Sequence, residues 1–256
     1  MRVSNSFVLA ASAAAAATLA VAGPAEAQED KPVSFSGEAT FVSDYRFRGI
    51  SLSDRDPAVQ AGLELSTKPG FFVGLWGSSI AEFNGATAEI DLYGGWTGTF
   101  DFLSATLGII GYLYPGGDDT NYYELYGELG FTLGPAELTV GLNVAPDQGN
   151  IARSNRYLVF GASLGVPETP VTLKGSLGFE RGGLVPDETG RTSKKTDWLI
   201  GADFSFEPLT IGVAYIGNDL PKRFPAVGPR PGPGLPGAPA NEIAKNTVVV
   251  TLSVGF

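Results

Sequence analysis

The side chains able to do chemistry in this chain are mostly carboxylates, and several recur at a spacing of two, as in Glu89 and Asp91, or of four, as in Glu124 and Glu128. Two carboxylates held together can serve as acid and base, but nothing in the sequence fixes a substrate beside Glu89 and Asp91. The 256 residues include no histidine and no cysteine. A Ser-His dyad, a histidine-ligated metal and a thiolate site are therefore excluded, and no disulfide framework supports the fold. Asp118-Asp119 and Asp54-Arg55-Asp56 lack the ligand spacing of a calcium loop. The residues predict no enzyme and no cofactor. A formal charge of −10 argues against a nucleic-acid partner, because neutralising phosphates needs clustered Lys and Arg.

The elements that must position these carboxylates are strands, since polar and apolar residues alternate with period two along about twelve segments. These run from Val33 to Tyr45, Ala58 to Ser66, Phe71 to Ser79, Ala88 to Thr97, Leu103 to Tyr114, Tyr122 to Leu133 and Ala136 to Ala145. They continue with Arg156 to Val166, Val171 to Glu180, Thr196 to Phe206, Leu209 to Gly217 and Asn246 to Phe256. In Ala136 to Ala145, for example, Leu138, Val140, Leu142 and Val144 oppose Glu137, Thr139 and Asn143. Only Phe71 to Ser79 is ambiguous, with Phe72 and Trp76 opposing Phe71, Val73 and Leu75. Every clear apolar face is free of charge, as a lipid-facing surface requires, although a soluble sandwich shows the same alternation turned inside out.

Connections alternate in length. Short ones lie at Thr67 to Gly70, Gly98 to Phe102, Gly134-Pro135, Pro167 to Pro170 and Glu207-Pro208. Longer polar links lie at Arg46 to Pro57, Ile80 to Thr87, Pro115 to Asn121, Pro146 to Asn155, Arg181 to Lys195 and Asn218 to Lys245. Tight turns on one side and longer loops on the other describe a transmembrane barrel. The N-terminus agrees, because Met1-Arg2, an apolar run from Phe7 to Ala22 and Ala25-Glu26-Ala27 form a secretory signal with its cleavage pattern. The expected division is a signal peptide over residues 1–27 and an outer-membrane domain over residues 28–256. The expected fold is all-β, an antiparallel up-and-down transmembrane barrel of about 12 strands.

The last strand places Val248, Val250, Leu252, Val254 and Phe256 on one face, and a terminal aromatic after such a strand resembles the assembly signal of outer-membrane barrels. Phe256 then marks the chain for the outer-membrane assembly machinery. Aromatic residues fall in two bands, expected to be the girdles of the membrane interfaces. Tyr45, Trp76, Tyr112, Tyr114, Tyr122, Tyr123, Tyr157, Trp198 and Tyr215 lie towards the loop ends. Phe35, Phe71, Trp96, Phe100, Phe102, Phe131, Phe204, Phe206 and Phe256 lie towards the turn ends.

The segment Ser43-Asp44-Tyr45-Arg46-Phe47-Arg48-Gly49-Ile50-Ser51, followed by Ser53-Asp54, Pro57 and Gln60, resembles the TorF family of bacterial porins. The likeness continues through Gly70-Phe71-Phe72-Val73-Gly74-Leu75-Trp76-Gly77-Ser78 and Glu89-Ile90-Asp91-Leu92-Tyr93-Gly94-Gly95-Trp96, and more loosely to Phe256. It implies an outer-membrane barrel with a channel role and offers no catalytic or substrate-binding residues to transfer. The Pro/Gly-rich stretch from Phe224 to Ala240 departs from the family's usual length; its composition forbids a helix or central strand and predicts an external loop.

Strand spacing of ~4.8 Å and a tilt of ~40° give twelve strands a backbone radius of about 12 Å. That size lies between filled eight-stranded barrels and open sixteen-stranded ones, so the interior side chains decide. The expected lining is Glu38, Asp44, Arg46, Arg48, Gln60, Glu64, Glu89, Asp91, Glu124, Glu128, Glu137, Arg156, Lys174, Glu180, Asp197 and Asp203, with Asn143 among them. Carboxylates dominate, so the expectation is a narrow, weakly cation-preferring pore for small solutes or ions. The alternative is a plugged structural or adhesive barrel acting through its external loops, its interior charges paired. Asp44, Arg46, Arg48, Asp54, Arg55 and Asp56 belong either to a solvated first loop or to a constriction with a transverse field. Arg153, Arg156, Arg191, Lys194 and Lys195 are candidates to contact lipopolysaccharide phosphates, beside outer-membrane lipid.

Overall fold

The computed structural model describes residues 32–151, 153–185, 193–220 and 240–256. The expected signal peptide, Arg191 and nearly all of the Pro/Gly-rich stretch lie outside the described residues. The strands are β1 (Val33–Val42), β2 (Arg46–Phe47), β3 (Ile50–Ser51), β4 (Ala58–Thr67), β5 (Phe71–Phe83), β6 (Ala86–Phe100) and β7 (Leu103–Leu113). They continue as β8 (Tyr122–Leu133), β9 (Ala136–Ala145), β10 (Asn155–Gly165), β11 (Val171–Gly182), β12 (Ser193–Phe206), β13 (Leu209–Asn218) and β14 (Thr247–Gly255), with one helical turn, α1 (Ala240–Ile243), before β14. β1 and β4 to β14 form one closed antiparallel barrel of twelve strands in chain order, while β2 and β3 form a separate hairpin. No helix among the described residues is long and apolar enough to cross a membrane.

Closure is what makes the pleat stable in lipid, because it pairs both edges of every strand and leaves no backbone row unsatisfied. The seam joins β1 to β14 through five register pairs, from Glu38 opposite Gly255 to Val42 opposite Thr251. Two further bonds extend it, from the Gly37 amide to the Phe256 carbonyl at 2.8 Å and from the Phe256 amide to the Gly37 carbonyl at 3.0 Å.

The ambiguous segment is resolved by burial: Phe71 is 61% exposed and faces out, whereas Phe72 at 7% faces in, alongside Trp76. The same parity turns Phe35, Leu107, Ile200 and Val248 outward while Glu89, Glu124, Asp197 and Lys195 are buried. A soluble sandwich would reverse that assignment, since large contiguous apolar surfaces are not left in water. At the short-turn rim the predicted aromatic band is present, with Phe35, Phe71, Phe100, Phe102, Phe206 and Phe256 all exposed on the outside.

The other rim departs from expectation in three places. Ile80 to Thr87 is not a long link, because β5 and β6 extend into it and join through Asn84 and Gly85, both at positive φ (47° and 94°). Asn-Gly suits such a turn, whose twist matches that of the flanking strands. The predicted loop-end girdle is largely absent from the outer surface. Tyr45, Trp76, Tyr112, Tyr114, Tyr122 and Tyr157 are buried inside the barrel, and only Tyr123 and Tyr215 of that band are well exposed. The first long connection also turns inward, carrying the β2–β3 hairpin, and it supplies the partner those rings pack against.

Candidate functional site

The hairpin turns on Arg48 and Gly49, with φ of 48° and 82°. A Cβ at position 49 would meet the Gly217 carbonyl oxygen at 2.8 Å and Asp197 Cβ at 2.9 Å, so glycine lets the hairpin tip rest against β12 and β13. Its carbonyls are gripped there. Asn218 Nδ2 donates to the Gly49 oxygen at 2.8 Å, and Lys195 Nζ donates to the Arg48 oxygen. Arg46 braces the base of the hairpin, donating to Asp44 at 2.7 and 2.8 Å and to the Lys245 carbonyl at 2.7 Å. Ser51 Oγ takes the other Asp44 oxygen at 2.6 Å. The Leu52 carbonyl receives the Ala81 amide at 2.9 Å, next to the register shift in β5 between Ser79 and Phe83.

Arg48, only 2% exposed, spans the lumen. Its two terminal nitrogens meet Glu124 of β8 at 2.5 Å and Glu180 of β11 at 2.6 Å. A planar guanidinium can hold two carboxylates on different strands at once, whereas an ammonium acts as a point charge. Phe47 and Tyr157 cover the guanidinium carbon at 4.6 and 4.3 Å, a favourable cation–π arrangement. Lys195 extends the network to Glu180 and Asp197, both at 3.1 Å. Tyr112, Asn143 and Asn155 donate to the same two glutamates. On the other side, the hydroxyls of Tyr45 and Tyr114 both donate to Glu89 at 2.8 Å. Tyr45 against Trp76, Phe47 against Tyr112 and Phe83 against Tyr114 pack with ring centroids 5.5 to 5.7 Å apart. The loop-side half of the barrel therefore holds the hairpin, aromatic rings and a charge network in which Glu89 and Asp91 form no ion pair among the described residues.

The turn-side half is different. Glu38 on β1 and Glu64 on the adjacent β4 point inward and are half-buried, as do Glu128 on β8 and Glu137 on the adjacent β9. None of the four forms an ion pair among the described residues. The cation at that level, Lys174, is bound to Asp203 at 2.6 Å.

Most of the expected lining lies inside the barrel. Asp44, Arg46, Arg48, Gln60, Glu89, Asp91, Glu124, Lys174, Glu180, Asp197 and Asp203 are buried there. Arg156 is the correction: it is exposed on the outer surface, because it shares a face with Leu158 and Phe160 rather than with Asn155 and Tyr157. Lys195, expected at the membrane surface, is instead buried in the lumen. Period-two parity from Asp197 would have placed it there. The solvated reading of the first loop holds for Arg55 and Asp56, which are exposed, and fails for Asp44, Arg46 and Arg48. Sequence reading missed Tyr157, Asn155 and Asn218 as parts of the site; their signal was again parity, in strands where the inward face carries few charges.

A closed barrel with an apolar exterior and a charged, polar interior is a transmembrane β-barrel of the outer-membrane type. The pattern of the family described as "Bacterial protein of unknown function (Gcw_chp)" matches residues 26–254, and the chain belongs to that family. Among solved structures, the chain is similar to NanC porin, with a TM-score of 0.54 and 8% identity over 87% of this chain and 99% of that one. It is also similar to a membrane protein solved in a study of in-meso crystallisation, with a TM-score of 0.52 and 10% identity over 87% of this chain and 83% of that one. OmpT, an outer membrane protein of Vibrio cholerae, aligns with a TM-score of 0.44 and 12% identity over 88% and 99% of the two chains. At these identities the likeness to the first two is one of fold. No curated protein matches the chain in sequence.

Proposed function

We propose that this protein is an outer-membrane channel for passive diffusion of small hydrophilic solutes or ions, weakly cation-preferring, with its narrowest level at the inward hairpin. The observation that carries the reading is the excess of carboxylates over cations along the lumen. Among the described residues Glu38, Glu64, Glu128 and Glu137 on the turn side, and Glu89 and Asp91 on the loop side, form no ion pair, so the lumen carries uncompensated negative charge along its length. Rings of carboxylates in a low-dielectric wall attract cations and repel anions. Buried polar atoms that make no protein hydrogen bond, including Asp91 Oδ1, Glu64 Oε2 and the hydroxyls of Tyr122 and Tyr126, also suit a hydrated interior. The likeness to a porin fold and the sequence resemblance to TorF porins support the same reading.

One observation favours a plugged barrel: at the level of Arg48, Tyr112 and Ile110 the interior is almost wholly occupied. Planar-bilayer recording of the purified protein separates the two. The channel predicts reproducible ion steps and a cation-selective reversal potential in a salt gradient. Persistent silence would overturn it in favour of the plug. Replacing Glu38, Glu64, Glu128 and Glu137 together with glutamine is expected to move the reversal potential towards zero while leaving the conductance at high salt nearly unchanged. Unaltered selectivity in that variant would remove these carboxylates as its source.

A further inference from the structure

We propose that Arg156, Arg181 and Lys194 form a binding site on the barrel's outer wall for the phosphates of a phosphorylated glycolipid, the lipid A portion of lipopolysaccharide. The proposal rests on the barrel's placement in the outer membrane with its long-connection rim facing outward, the usual orientation when short turns face the periplasm. Register sets the three cations side by side: Arg156 lies opposite Arg181 across β10 and β11, and Arg181 lies opposite Lys194 across β11 and β12. All three are exposed, on the face opposite to the lumen residues Tyr157, Glu180 and Lys195. Each lies within two residues of a strand end at the long-connection rim.

Like charges directly opposite one another across a ladder oppose strand pairing, and no ion pair among the described residues offsets this row. None of the three cations forms an ion pair or side-chain hydrogen bond with another described residue. The carboxylate that the strand ends bring alongside, Asp219, accepts the Thr196 amide at 2.7 Å. Glu180, the sequence neighbour of Arg181, faces the lumen and is committed to Arg48 and Lys195. An external anion can supply the counter-charge.

Below the cations the same outer face becomes apolar. Leu158, Phe160, Leu177 and Phe179 are exposed there, and the Phe160 and Phe179 rings meet edge to face with centroids 6.4 Å apart. Neighbouring strands are about 4.8 Å apart, so the three cations spread over about 10 Å of wall. A cation row above an apolar strip matches a lipid with phosphates on its sugar headgroup and acyl chains beneath. Guanidinium groups bind phosphate by paired hydrogen bonds, and their apolar stems can lie against the strip.

The test uses protein extracted from outer membranes and purified in detergent, titrated with bisphosphorylated lipid A and followed by native mass spectrometry. Dephosphorylated lipid A and phosphatidylglycerol serve as comparison lipids. The expected result is retention of the bisphosphorylated lipid, lost by about a hundredfold in affinity in the combined Arg156→Gln, Arg181→Gln, Lys194→Gln variant. Replacing the two arginines by lysine, or Lys68 at the opposite rim by glutamine, should retain most of the binding. Equal binding by the triple variant, or by dephosphorylated lipid A, overturns the proposal. Equally tight binding of phosphatidylglycerol overturns the assignment to a glycolipid. Bilayer conductance and heat-modifiable gel mobility of the same preparations show whether the barrel and its channel reading stand when the lipid site does not.

Discussion

Replacing Arg48 with alanine is expected to free the hairpin from the far wall, raise single-channel conductance several-fold and lower the thermal stability of the barrel in detergent. The reason lies in what is left behind. Glu124 and Glu180 lose the guanidinium that meets them at 2.5 and 2.6 Å, and both are almost fully buried. Removing one partner of a buried ion pair costs about 3 to 5 kcal/mol, with the lower end fitting a lumen that water can enter. Lys195 remains beside Glu180 but does not reach Glu124. The hairpin also loses the stacking of Arg48 between Phe47 and Tyr157.

An Arg48→Lys substitution should recover little, since one ammonium cannot replace a fork that joins two strands. Adding Glu124→Gln and Glu180→Gln to Arg48→Ala removes the stranded charges. It is expected to restore the melting temperature while conductance stays high. Conductance and melting temperature unchanged in Arg48→Ala would show that the hairpin is held by its backbone contacts alone.

The second large effect concerns the seam. Reading Phe256 as the assembly signal predicts that deleting it lowers the folded protein in outer-membrane fractions by an order of magnitude, measured as the heat-modifiable band on gels. Structure adds a separate contribution from closure. The Phe256 backbone exchanges two hydrogen bonds with Gly37, worth about 1 kcal/mol each. Phe256 is 70% exposed, and its ring covers Gly37, where an added Cβ would stand 2.5 Å from Phe256 Cε2.

Refolding into detergent, where no assembly machinery is present, distinguishes the two contributions. A large cellular loss with a small loss on refolding supports recognition; matching losses would reduce Phe256 to a closure residue. Gly37→Leu keeps Phe256 but displaces its ring. It should weaken closure in both settings, which places the mechanical part of the effect on the ring's contact with strand β1.

Legibility followed the range of the physics involved. Alternation along Ala136 to Ala145 or Tyr122 to Leu133 read off as strands with the same bounds that β9 and β8 show, because the pleat sends successive side chains to opposite faces. Phe71 to Ser79 resisted, since both of its faces carry large apolar residues. One of them meets lipid, and the other packs Phe72 and Trp76 against the interior. Arg156 and Lys195 were misplaced although parity with Leu158 and Asp197 held the answer. At strand ends, composition gives no reason to prefer membrane surface over lumen. Asn84-Gly85 was a turn signal overlooked inside a polar stretch.

The inward course of the first connection was written in no local pattern. Asp44 to Ser51 is polar enough for a solvated loop, and Arg48 becomes a lumen residue only because ring closure brings β8 and β11 within reach of one side chain. For the same reason most tyrosines near the loop ends pass for an interfacial girdle in the sequence and prove to pack inside the barrel around the inward hairpin. By itself the sequence determined the strands, their two faces and the all-β barrel, since each is a property of neighbouring residues on a pleat. Which charges pair across the lumen, and which carboxylates are left without a cation, only the tertiary structure decided, because those distances exist once the first strand meets the last.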